Sequence, residues 1–167
     1  MTRRPAVARE LPDLPLIINN VPSRTAVDIA PETVLHPRRE FDNVVGVKET
    51  TREFGQFSNV LHLCGSDTLF WSGVELRCMP LLALGASGFA NAPAEAPGAT
   101  ARRYNYWSAG DHKGALDLRH GLRPLVSLTD VETELAPVQW VLEQAGLLRS
   151  GQDRPPFVPP VRARASA

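Results

Sequence analysis

Several things are scarce in this 167-residue chain, and each absence narrows what it can do. There are two cysteines, Cys64 and Cys78, and neither their number nor their spacing makes a disulfide framework or a metal-ligand pattern. Both sit among apolar residues, which reads as buried free thiols. No apolar run approaches the ~18 residues of a membrane span. The basic amino terminus has no apolar stretch behind it, so no secretory signal is expected and the cytoplasm is the expected compartment. Net charge is also missing: 18 lysines and arginines balance 18 aspartates and glutamates. A neutral chain has no long-range attraction to nucleic acid or to an anionic membrane. The arginines near either end, in Thr2-Arg3-Arg4 and Val161-Arg162-Ala163-Arg164, read as solvated termini. The four histidines, His36, His62, His112 and His120, fall at no ligand spacing, and neither a metal nor another cofactor is expected.

What is present is ordinary for a globular domain: 43% hydrophobic and 22% charged residues, over a length that can bury a core. Short apolar runs alternate with helical patterns. Leu14–Asn19, Asn43–Lys48, Thr68–Ser72 and Gly85–Ala90 read as strands, continuous enough to be covered on both faces. Between them lie helices from Pro31, over Glu53–Leu63 and over Glu75–Leu84. Pro31 suits the first helical position, whereas Pro37 is expected to end or kink its helix. Asn20–Thr25 reads as a loop, and one short helical turn is expected near Val7–Leu11. Further helices are expected over Gly98–Ala109, Asp111–Leu128 and Glu134–Ala145, the last capped by Gly146. Tyr104, Trp107, Trp140 and Leu147 are expected to pack this helical part.

Alternating strands and helices imply a parallel sheet, either an open doubly wound sheet or part of a (β/α)8 barrel. The turn after the first strand lacks the glycines of a phosphate loop. Four strands are half of the barrel's eight. The expectation is therefore an α/β fold, a partial (β/α)8 TIM barrel comprising its second half, with a carboxyl-terminal helical extension. The segments would be a polar 1–13, a half-barrel over 14–92, the extension over 93–149 and a proline- and arginine-rich tail over 150–167. An open-sheet binding domain is the weaker alternative, distinguishable by strand order.

Three motifs then stand out. Asn20-Val21-Pro22-Ser23-Arg24-Thr25 is like Tyr-Asn-Val-Pro-x-Arg-Thr without its tyrosine. Val45-Gly46-Val47-Lys48-Glu49-Thr50 is like a Gly-Ile/Val-Lys-Glu/Asp strand. Trp71-Ser72-Gly73 is followed by a helix to Leu84-Gly85 and then by Gly88. A weaker fourth match joins Val131-Glu132-Thr133 to Pro137-Val138-Gln139-Trp140. In order and spacing these segments, over about residues 12 to 160, resemble the second half of the dihydrodipicolinate synthase / N-acetylneuraminate lyase family of Schiff-base lyases.

The resemblance implies a class I aldolase or hydro-lyase acting on pyruvate or a related 2-keto acid and an aldehyde-type substrate, with no cofactor. Lys48 would form the Schiff base. That requires a neutral amine, so a lysine of ordinary pKa about 10.4 must be brought down roughly three units, about 4 kcal/mol. On local pattern alone the same residue reads as a strand-end lysine reaching solvent. Arg24 would meet a substrate carboxylate through its planar guanidinium, or else pair with Asp28 or Glu49. Ala90 would offer its main-chain carbonyl to the keto acid, with Gly88 allowing close approach. Asn19 stands where the family has a proton-relaying tyrosine, and a carboxamide cannot titrate. Ser23, Thr25 and Thr50 are the alternative relays. Glu75 aligns with an acidic helix-start position and Glu95 replaces an asparagine. The family's carboxylate-holding Gly-Thr-Thr-Gly-Glu loop has no counterpart. A homo-oligomer or complementation by a missing amino-terminal half is implied. A catalytically inactive remnant or interaction module of the same family is the alternative, favoured by the missing half, by Asn19 and by Pro37.

Overall fold

The computed structural model describes residues 3–51, 53–91, 96–129, 135–151 and 154–155. The chain divides into two compact units, Met1–Asn91 and Ala92–Ala167.

The first unit is α/β. Its strands β1 (Leu16–Asn20), β2 (Val44–Glu49), β3 (Leu69–Ser72) and β4 (Gly88–Phe89) form one four-stranded sheet in the order β1-β2-β3-β4. All three pairings are parallel. A doubly wound sheet reverses its strand order at a switch point, and this one does not. Sequential parallel order is that of a (β/α)8 barrel, with helices in each connection. Helix α1 (Arg3–Glu10) precedes β1, and a one-turn helix α2 (Pro22–Thr25) and then α3 (Pro31–Glu40) lead to β2. Helix α4 (Phe54–Cys64) leads to β3, and a 3-10 turn (Glu75–Arg77) with α5 (Cys78–Ala83) leads to β4.

Strand periodicity of two sorts the sheet into faces. Ile18, Val47 and Phe70 are register neighbours and are all buried. They form the core with Val34 of α3, Phe57 and Val60 of α4 and Leu81 of α5. Phe57 meets Phe70 edge-on, with ring centroids 4.3 Å apart. The cover expected on both faces is found on this one alone, because the helices pack against it; the opposite face is barer, with Ile17 50% and Leu69 43% exposed.

Three local expectations need correction. Helix α3 does not stop at Pro37; it runs on to Glu40, with Pro37 buried inside it. The missing N–H and the ring clash cost about 3 kcal/mol. Val34 in the core, the buried Pro37 itself and the Phe41 N–H bonded to the Pro37 carbonyl hold the helix together. The Asn20–Thr25 loop contains α2, opened by Pro22 and closed by Ala26 in the left-handed region at φ 54°. The fourth strand is two residues rather than six, because Gly85, at φ 100°, is still terminating α5. Its N–H bonds to the Leu82 carbonyl and that of Ala86 to Leu81.

The second unit contains α6 (Pro97–Ser108), α7 (His112–Thr129) and α8 (Leu135–Gln144). Asp111 caps α7 through the Gly114 N–H at 2.9 Å. Trp107 stacks on His112 with centroids 4.4 Å apart. Gly146, at φ 72°, follows α8 as a left-handed cap, as expected. Leu147 does not pack as expected; it is 67% exposed. Glu95, Val131–Thr133 and most of the 150–167 tail lie outside the described residues.

Candidate active site

The carboxyl ends of the parallel strands bring most of the sequence candidates together, which is where barrel enzymes carry their chemistry. Two rows of register partners cross the sheet there. The first is Asn19, Lys48, Trp71 and Gly88; the second is Asn20, Glu49, Ser72 and Phe89. Adjacent strand residues point to opposite faces. The second row shares the parity of Ile18, Val47 and Phe70, and its Asn20, Glu49 and Ser72 are fully or nearly fully buried. The first row occupies the barer face.

Lys48 is half-buried in the middle of that first row, between Asn19 and Trp71. Its stem lies against Gly73: a Cβ on Gly73 would stand 2.9 Å from Lys48 Cε and 2.3 Å from Thr50 Cγ2. The Gly73 N–H donates to the Glu49 carbonyl at 2.8 Å, which fixes that close approach. Asn19 is exposed directly beside Lys48, so the position likened to a tyrosine is a neighbour of the lysine in space.

Arg24 is exposed on α2, in the connection that leaves β1. Asp28 and Glu49, the two acids weighed as its partners, each accept a bond from Asn20. Of the hydroxyls considered as relays, Thr25 Oγ1 donates to main-chain carbonyls of Val21 or Val27, each 3.0 Å away, and Thr50 Oγ1 to the Asn20 carbonyl at 2.8 Å. Ala90 follows β4, and its N–H bonds to the Ser72 carbonyl at 2.8 Å. Glu75 is buried beyond β3, with Asn91 Nδ2 3.1 Å from its Oε2. Asn91 Nδ2 also lies 2.9 Å from the buried Cys78 Sγ. The Cys64 thiol is pushed up by burial, against the pull of Arg38 and Arg39. Among the described residues no group of three His, Cys, Asp or Glu side chains could hold a metal ion, and no helix is long and apolar enough to cross a membrane.

The polar network behind the lysine was missed by sequence reading. Asn20 Nδ2 lies 2.7 Å from Asp28 Oδ1 and 3.0 Å from each Glu49 oxygen. Its Oδ1 accepts the Ile29 N–H at 3.2 Å, and Glu49 Oε1 accepts the Thr51 N–H at 2.7 Å. Burial pushes the Glu49 carboxyl above the ordinary range; the bonds from Asn20 and Thr51 pull the other way, and the Asp28 charge adds to the rise. The available signal was parity: Asn20 follows Ile18 by two and Glu49 follows Val47 by two, so both continue the core face.

The model of the dihydrodipicolinate synthetase family matches residues 5–165. A 4-hydroxy-tetrahydrodipicolinate synthase of Thermus thermophilus is 37% identical over 154 residues, covering 92% of this chain and 51% of the relative. The crystal structure of dihydrodipicolinate synthase from Aquifex aeolicus superposes with a TM-score of 0.91 at 27% identity, over 98% of this chain and 55% of that one. That from Thermotoga maritima gives 0.86 at 30% identity, over 94% and 54%. The chain thus spans about half the length of the relatives it matches.

Proposed function

The chain belongs to the dihydrodipicolinate synthetase family, and from that membership we propose that it is the Schiff-base half of a lyase acting on pyruvate or a related 2-keto acid. Lys48 Nζ attacks the keto carbon and the oxygen leaves as water, forming an imine. Loss of a methyl proton turns the imine into an enamine, whose carbon adds to an aldehyde-type substrate, and hydrolysis returns the free amine. Arg24 meets a carboxylate of that second substrate, and the main chain at Ala90 faces the bound keto acid. The observation that carries this reading is the place of Lys48: half-buried, in the row at the carboxyl ends of the strands, over a glycine that leaves room for its stem.

The other half of the barrel, wherever it is encoded, supplies the face opposite Lys48 and the carboxylate-binding loop. Exposed Ile17 and Leu69 on the bare face support such a partner. The compartment we propose is the cytoplasm. The test is complementation. The amino-terminal half of the Thermus relative, mixed with this chain, should give pyruvate-dependent condensation with a carboxylate-bearing aldehyde, abolished by Lys48→Arg. A folded complex of the two halves with no such turnover contradicts the proposal.

The reading as an inactive family remnant draws support from one specific observation. Asn19 lies beside Lys48 where the proton relay is needed, and a carboxamide cannot act as general acid or base. Of the other grounds for it, Pro37 no longer counts, because α3 continues through it.

A further inference from the structure

Behind Lys48, on the helix-covered side of the sheet, sit a carboxamide and two carboxyl groups that the proposed reaction does not use. Each hydrogen of the Asn20 amide is spent on a carboxyl group, one on exposed Asp28 and one shared between both oxygens of buried Glu49. Every remaining polar atom of the carboxamide is also engaged, since Oδ1 takes the Ile29 N–H. Glu49 in turn takes the Thr51 N–H, and Thr50 Oγ1 closes on the Asn20 carbonyl. These bonds join three pieces of chain: the end of β1, the 21–29 connection that carries Arg24, and the end of β2 that carries Lys48. Gln56 of α4 adds a bond from its Nε2 to the Ile29 carbonyl at 2.6 Å, and Arg77 reaches the Thr51 carbonyl.

Such a cluster is not what a core needs for stability. Buried acids are costly, and apolar side chains on the same parity would pack more cheaply. What it supplies is a fixed distance between segments that are far apart in sequence, and those are the segments bearing the two proposed site residues.

We infer that Asn20, Asp28 and Glu49 form a clasp that positions Lys48 and the Arg24 connection relative to each other, which makes Asn20 and Glu49 positioning residues of the site. What the clasp serves rests on the Schiff-base reading; that it exists does not. Two measurements on the full chain separate these. The first is amide hydrogen exchange. Asn20→Leu should speed exchange at Ile29 and Thr51 at least tenfold while Val47 in the middle of β2 keeps its protection. Asp28→Ala, on an exposed side chain, should speed Ile29 at least threefold without touching the buried pair. Unchanged exchange at Ile29 and Thr51 in both variants overturns the clasp, whatever Lys48 does.

The second measurement is reductive trapping, with pyruvate and cyanoborohydride as the probe. At saturating pyruvate, Asn20→Leu and Glu49→Ala should trap at least tenfold more slowly than the unaltered chain. Glu49→Gln, whose one remaining oxygen can accept from both Asn20 and Thr51, should recover part of that loss. Equal trapping rates in all four proteins overturn the positioning role. Absence of trapping in the unaltered chain overturns the Schiff-base reading and the positioning role with it, while the exchange result decides the clasp by itself.

Discussion

Replacing Gly73 with alanine puts a single methyl group against Lys48 and tests whether the space there matters to chemistry rather than to folding. The new Cβ would lie 2.3 Å from Thr50 Cγ2 and 2.9 Å from Lys48 Cε. Carbon atoms sit comfortably at about 3.5–4.0 Å, so both neighbours must give. Gly73 is outside the left-handed region, so the substitution adds no backbone strain. Thr50 can turn only by giving up its bond to the Asn20 carbonyl, at about 0.5–1.5 kcal/mol. A strained rotamer adds a similar amount. The total of roughly 1–3 kcal/mol lowers the melting temperature by about 2–12 °C in a chain of this length. The lysine stem is flexible and simply moves, but misplacing a reacting group by about 1 Å can cost on the order of 10²-fold in rate. Gly73→Ala should therefore remain folded by circular dichroism and trap pyruvate at least tenfold more slowly. Gly46→Ala is the contrast: its Cβ would meet the Leu69 carbonyl oxygen at 2.5 Å and Trp71 Cζ3 at 2.7 Å. A main-chain atom of the next strand cannot step aside, so this variant should lose stability by about 3 kcal/mol or more. The reasoning fails if Gly73→Ala traps within twofold of the unaltered chain, or if it unfolds as readily as Gly46→Ala.

The remaining predictions concern Glu49 and Asn19. Burial raises the Glu49 carboxyl above its ordinary 4.5, so the folded state holds this proton more tightly than the unfolded one. Its contribution to stability is complete below the unfolded value and is lost as pH rises through the raised folded value. Melting temperature should thus decline from about pH 4.5 upward, and Glu49→Gln should flatten that decline; an equal slope in the variant would assign the effect to another group. Asn19→Tyr restores a titrating phenol beside Lys48. In the complemented barrel it should accelerate deuterium uptake at the pyruvate methyl group by about 10²-fold or more. No acceleration would mean that a hydroxyl or water already relays the proton.

The fold was legible in the sequence because its signals are local. Four short apolar runs separated by helical patterns dictate parallel strands, but their unbroken apolar character overstated the cover: only the face of Ile18, Val47 and Phe70 is buried. Pro37 misled because a proline's cost in a helix is local while the burial that offsets it is not. The fourth strand was overlong because nothing local says that Gly85 adopts positive φ to finish α5. At the site, the motifs around Arg24 and Lys48 fall at the carboxyl ends of β1 and β2. The clasp was illegible because Asn20 meets Glu49 29 positions away, which only the register of β1 on β2 brings to contact, and Asp28 through the path of the connection after β1.

The central claim is that Lys48 is the imine-forming amine, and peptide mass spectrometry after reduction of the chain with borohydride in saturating pyruvate tests it most directly. The account predicts one added 1-carboxyethyl group, carried on the peptide containing Lys48 and absent from Lys48→Arg. A chain whose Lys48 stays unmodified under those conditions, or whose adduct persists on Lys113 in Lys48→Arg, contradicts it.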